Sequence, residues 1–155
     1  MSSIFQARLN AIYAAFERLN ACPPMQRGAL TLSRYEKVPG VYVFSEDEQP
    51  LYVGRSRNLR HRILSHARPG VRDSSFALRL AREVTGAKPT YSREGSRTDL
   101  FARNPDFVRA YREQKARIAQ MSIQYVIEED PVNQALLEIY ASDVLKTPYN
   151  DFNTT

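Results

Sequence analysis

The chain has 155 residues, a formal net charge of +5 and a pI near 9.5, with 43% hydrophobic and 25% charged residues. That length can bury a core without staples, and the balance is that of a globular rather than a disordered protein. One cysteine, Cys22, excludes an internal disulfide and a Cys/His zinc framework. No run is long and apolar enough to cross a bilayer, and the N-terminus lacks the layout of a secretory signal, so a soluble cytoplasmic protein is the expectation.

In chain order, Phe5, Leu9, Ile12, Phe16 and Leu19 recur at helical spacing, which predicts an amphipathic helix over 4–20. Residues 21–33, with Pro23, Pro24 and Gly28, read as a connector. Val41-Tyr42-Val43-Phe44 and Leu51-Tyr52-Val53 have strand composition and flank a polar turn, which predicts a hairpin. Ser56 is placed to cap a helix with the stripe Leu59, Ile63 and Ala67, stopped by Pro69-Gly70. A second helix is expected from Ser74 to Val84, and 86–103 reads as a long arginine-bearing surface loop. Asn104-Pro105-Asp106 is a helix start, a capping amide followed by proline and an acid near the dipole. Residues 121–127 alternate as a third strand, and a last helix runs from Val132 to Leu145.

This order predicts an α+β fold, a small, mostly antiparallel three-stranded sheet flanked by helices. A single domain is expected over 1–155, with its core at about 35–151, an N-terminal helix and connector in 1–34, and a basic insertion at 68–120.

Charge is unevenly spread. Between Arg55 and Arg117 lie sixteen of the 22 Lys and Arg residues against six acids, most of the cations being arginines. A guanidinium donates two parallel hydrogen bonds to a phosphate, so this pattern points to nucleic acid, with Arg55, Arg57, Arg93, Arg97 and Arg103 as candidate contacts.

Chemistry could be carried by a few groups. A hairpin would bring Tyr42 and Tyr52 side by side, while Gly40 and Gly54 leave the strand ends open to close approach. Arg62 and His66 are an i, i+4 pair on one helical face beside the core, a candidate phosphate clamp. Glu138 sits among uncharged neighbours at the edge of an apolar stripe, where a carboxylate is costly unless bound to a metal or paired with an arginine. Asn150 could cap a turn or polarise a ligand.

Together these residues resemble the GIY-YIG endonuclease family. Gly40-Val41-Tyr42 and Tyr52-Val53-Gly54 match its two signature elements, with valine in place of isoleucine in both. Arg62, His66, Glu138 and Asn150 follow in the family's order. The resemblance implies metal-dependent hydrolysis of phosphodiester bonds in DNA, with one Mg²⁺ or Mn²⁺ per active site. Tyr42 would be the general base, or the group orienting the attacking water, and Arg62 would neutralise charge on the phosphate. Glu138 would hold the metal, with Tyr52 and His66 in support. The alternative is an inactive nucleic-acid-binding module of the same fold. Target selection would come from the basic insertion, the N-terminal helix or a separate targeting protein, and the partners expected besides DNA are a second copy of the chain or that targeting protein.

Overall fold

The computed structural model describes residues 2–70, 72–90 and 92–152. The chain divides into two compact units, one made of Met1–Ile63 with Met121–Thr155 and the other of Leu64–Gln120.

The first unit holds helix α1 (Ser3–Ala21), strands β1 (Gly40–Glu46) and β2 (Gln49–Ser56), strand β3 (Ser122–Ile127) and helix α6 (Pro131–Leu145). Helix α2 (Leu59–Ala67) begins in it, and the division falls after Ile63, inside that helix. The strands are antiparallel throughout, in the order β2-β1-β3. The expected α+β sheet is therefore present, with the hairpin strand β1 at its centre.

Central position explains why β1 reads as an unbroken apolar run rather than an alternating one: both of its faces are covered. Val41 and Val43 point to one face. There they join Val53 and Val126 against Ile12, Phe16 and Leu19 of α1 and Leu137 and Ala141 of α6. Side chains alternate along a strand, so Tyr42 and Phe44 face the other way. Each large apolar side chain buried in this way contributes about 1.5–3 kcal/mol. Helix α6 is further fixed at its start, where Asp130 accepts from the Val132 and Asn133 amides at 2.8 and 2.9 Å. Arg8 of α1 bridges to Asp130 at 2.7 Å. The two amides and Arg8 hold the Asp130 carboxyl below its usual range.

The hairpin turns tightly. Glu46 pairs with Gln49, leaving Asp47 and Glu48 as a two-residue loop with φ of 51° and 66°. Positive φ at both positions suits the twist of the strands but favours Asn or Gly. Glu48→Gly should therefore raise stability by about 0.5–1 kcal/mol, read as a higher urea midpoint at unchanged slope.

Ser56 does not cap α2 as expected. Its hydroxyl instead accepts from the Asn58 amide at 3.0 Å, and Asn58 Oδ1 accepts from His61 N at 3.3 Å as the capping group. The predicted stripe stands, with Leu59, Ile63 and Ala67 all buried.

The second unit contains the end of α2, α3 (Ser75–Thr85), α4 (Arg97–Arg103) and α5 (Pro105–Ile118). Its core gathers Phe76, Leu80, Leu100, Phe107 and Tyr111. Helix α4 corrects the reading of 86–103 as a loop throughout. Ser96 accepts from Asp99 N at 3.2 Å while Asp99 Oδ2 accepts from Gly95 N at 2.9 Å. This reciprocal start resembles a capping box with aspartate in place of glutamate. Leu100 fills the core and Phe101 stacks edge-on against Tyr111 at 4.9 Å.

Candidate active site

The signature glycines are explained by what a side chain would strike. A Cβ on Gly40 would overlap the Val126 carbonyl oxygen, across the β1–β3 ladder, and press on Leu59 of α2 at 2.8 Å. A Cβ on Gly54 would overlap the Tyr42 phenol, because Tyr42 and Gly54 are cross-strand partners and the ring lies over the glycine. The two tripeptides are thus one structural device: the second glycine makes room for the first tyrosine.

Tyr42 is 1% exposed, packed edge-on to Phe44 with ring centroids 5.7 Å apart and tilted against Tyr52 at 6.5 Å. Burial drives its phenol well above the ordinary tyrosine value, and the neighbouring Tyr52 and Glu138 push the same way. Arg62 opposes them through its charge and a hydrogen bond to the phenol. Burial dominates, so Tyr42 is a neutral phenol near pH 7.

A pH dependence of stability follows. An unfolded tyrosine ionises near pH ~10, whereas the folded one holds its proton beyond that. The contribution is therefore complete below pH ~10 and drains away as pH rises above it. Wild type should lose up to about 1.4 kcal/mol per pH unit more than Tyr42→Phe above that point, measured by urea unfolding at a series of alkaline pH values. Equal slopes would show that the phenol ionises normally in the fold.

Tyr42, Tyr52, Arg55, Arg57, Arg62 and Glu138 line one cavity of about 720 Å³. The floor comes from β1 and β2, Arg62 from α2, and Glu138 from α6, one turn beyond the buried Gln134. Gln134 is itself held by a 2.7 Å bond from its Nε2 to the Glu128 carbonyl. Glu138 Oε2 lies 2.7 Å from Arg55 Nε, the salt bridge that sequence left open as an alternative to metal binding. Lys37, Glu129 and Gln134 also line the cavity and were not foreseen. Glu129 stands in an acidic run before a proline, a sign of a helix start that says nothing of a cavity.

His66 belongs to the second unit and is not among the lining residues. Its ring is fully buried, with Nδ1 2.6 Å from Ser74 Oγ and Phe76 edge-on at 6.4 Å. Asn150 is also absent from the lining. Its Oδ1 accepts from Val53 N and its Nδ2 donates to Val53 O, both at 2.8 Å, as an extra strand would pair with β2. Thr147 Oγ1 donates to the same Oδ1 at 2.8 Å. Its amide braces the strand that carries Tyr52 and Gly54.

Arg93, Arg97 and Arg103 lie in the second unit, where Arg103 pairs with Asp99 at 3.4 Å. Sequence reading passed over Arg82 there. Its Nη1 is buried without a hydrogen-bond partner, and desolvation together with the nearby Arg97 charge lowers the guanidinium's pKa.

Among the described residues no group of three or more His, Cys, Asp or Glu is placed to hold a metal ion. Mg²⁺ does not require one, since it keeps several waters and binds through one or two carboxylates plus substrate phosphate. Glu138 and Glu129, lining a cavity wide enough for a phosphate group, fit that pattern.

Comparison with known proteins bears on the same region. The model of the UvrC-like GIY-YIG domain matches residues 38–93, a span that includes Tyr42, Tyr52 and Arg62 and ends short of Glu138. Excinuclease cho of Salmonella typhi is 45% identical over 56 residues, covering 35% of this chain and 18% of that protein. Excinuclease cho of Escherichia coli (strain K12) is 45% identical over 49 residues, covering 30% of this chain and 16% of that protein. The chain thus matches less than a fifth of the length of these curated relatives. The search of solved structures returned no match. Among the described residues no helix is long and apolar enough to cross a membrane. With both signature tripeptides on a central antiparallel hairpin, and the family model matching across them, residues 38–93 of this chain are similar to the UvrC-like GIY-YIG domain.

Proposed function

We propose that this chain is a DNA endonuclease that hydrolyses phosphodiester bonds with one divalent cation, Mg²⁺ or Mn²⁺, held by Glu138. The observation that carries this reading is the convergence of Tyr42, Tyr52, Arg62 and Glu138 on one cavity with Lys37, Arg55 and Arg57 on its wall. Four cations against two carboxylates make that cavity attractive to a phosphate.

Each residue has a task set by its surroundings. Arg62 takes the non-bridging oxygens of the scissile phosphate, where a fixed guanidinium counters charge that grows toward the transition state. Tyr42, a neutral phenol bonded to Arg62, orients the attacking water. Its buried position disfavours the phenolate that a base would need, so orienting is the better of its two expected roles. Tyr52 flanks it as a second hydrogen-bonding phenol. The cation, once bound, stabilises the leaving oxygen as a Lewis acid. Water attack on phosphorus then forms one P–O bond as another breaks.

The test is nicking of supercoiled plasmid in Mg²⁺ and in EDTA, comparing wild type with Tyr42→Phe, Arg62→Ala and Glu138→Ala. Metal-dependent nicking by wild type and its loss in all three variants is the expected result. Wild-type inactivity on duplex, branched and single-stranded DNA, with binding retained, would establish the inactive binding module instead.

A further inference from the structure

We infer that the Arg55–Glu138 ion pair is a latch that DNA opens: a phosphate draws Arg55 away, and Glu138 then binds a cation more tightly. This rests on the proposed role of Glu138 as metal ligand and adds a positioning role for Arg55.

The geometry supports an exchangeable pair. Arg55 stands near the end of β2, opposite Val41 in the register, and reaches to α6 so that its Nε meets Glu138 Oε2 at 2.7 Å. The arginine side chain is 49% exposed and the glutamate 21%. Water reaches the arginine end and screens its charge, which makes the pair exchangeable. Both partners also line the cavity, along with Lys37, Arg57 and Arg62. A phosphodiester entering there competes for Arg55, and a guanidinium binds phosphate through its two-pronged face in preference to one carboxylate oxygen.

While the latch is shut, two effects weaken cation binding at Glu138. The guanidinium neutralises the carboxylate, and its own positive charge repels a divalent ion over a few ångströms. DNA removes both at once. Linkage then requires reciprocity: if DNA tightens cation binding by some factor, the cation tightens DNA binding by the same factor. The consequence for function is order. Without DNA the site holds a cation poorly, so cation binding is confined to the DNA-bound form.

The test reads metal binding rather than cleavage. Mn²⁺ binding is followed by electron paramagnetic resonance in the full chain carrying Arg62→Ala, a background expected to cut slowly enough that the DNA stays intact during the measurement, with and without a short DNA duplex. The duplex should tighten Mn²⁺ binding by about 5- to 150-fold, the usual range of such coupling. Adding Arg55→Gln should raise Mn²⁺ affinity in the absence of DNA and abolish most of the DNA-dependent gain. Arg55→Lys keeps a cation at the position without the planar fork and should retain only part of the gain, and it serves if the glutamine variant folds poorly by thermal melt. Unchanged Mn²⁺ affinity after Arg55→Gln, in a chain whose binding still depends on Glu138, would overturn the latch alone. If Glu138→Gln leaves Mn²⁺ affinity unaltered in every form, the metal role of Glu138 fails and the latch with it.

Discussion

Arg62→Ala is expected to slow plasmid nicking by about 10²- to 10³-fold while leaving the fold intact, the size of effect seen when one preorganised donor to a developing charge is removed. The fold should survive because α2 is held by Leu59 and Ile63, both buried, and by the Leu59 amide bonded to the Val38 carbonyl at 2.8 Å. Arg62 itself faces the cavity. Its loss removes two things from the site: the positive charge that meets the phosphate, and the hydrogen bond that holds the Tyr42 phenol. Arg62→Lys restores the charge without the planar fork and should recover only part of the rate. Circular dichroism and a thermal melt would separate a catalytic loss from an unfolded variant. Nicking at the wild-type rate by a folded Arg62→Ala protein would remove Arg62 from the mechanism.

Gly54→Ala is the second large effect. The added methyl would overlap the Tyr42 phenol, and that ring has nowhere to go, since it is 1% exposed and wedged between Phe44 and Tyr52. Overpacking of a close-packed core costs about 1–3 kcal/mol. Activity should fall further than stability does, because the displaced group is the one proposed to orient water. A double-mutant cycle checks the cause. In a Tyr42→Ala background the phenol is gone, so Gly54→Ala should cost much less than it does in wild type, a coupling outside the additivity seen for independent sites. Full additivity would mean that the glycine serves backbone conformation rather than the ring. Gly40 supplies the contrast. Its added methyl meets a backbone carbonyl rather than a side chain, so no substitution at Tyr42 should relieve Gly40→Ala.

Much of this site was legible in the chain because its signals are local. Gly40-Val41-Tyr42 and Tyr52-Val53-Gly54 announce strands by composition and a hairpin by spacing, but the register that sets Tyr42 opposite Gly54 needs a bulge between Phe44 and Ser45 that shifts the pairing by one residue beyond the two-residue turn. The start of α5 was equally plain, with Asn104 Oδ1 accepting from Phe107 N at 2.9 Å ahead of a proline. Helix α4 was missed because its seven residues show too little apolar periodicity. Its signal lay in Ser96 and Asp99, a cap without an obvious stripe behind it.

His66 shows where periodicity stops. A spacing of four puts two side chains on one helical face but is silent about what each will touch. The imidazole's partner is Ser74, the cap of the next helix, and only the folded chain sets the two 2.6 Å apart. Asn150 makes the same point over a longer reach, since its amide pairs with Val53, 97 residues earlier.

By itself, then, the sequence determined the strands, the turn, most of the helices and the residue types that the chemistry needs, because propensity, capping and alternation act over a few residues. Tertiary structure alone decided which charges meet. Arg55 and Glu138 each read as a partner for some other charge, Arg55 for phosphate and Glu138 for a metal or an arginine. Their pairing depends on how α6 lies against β2. It likewise decided that Tyr42 is a neutral phenol, since the cost of charging a group is set by what surrounds it in space rather than by its neighbours in the chain.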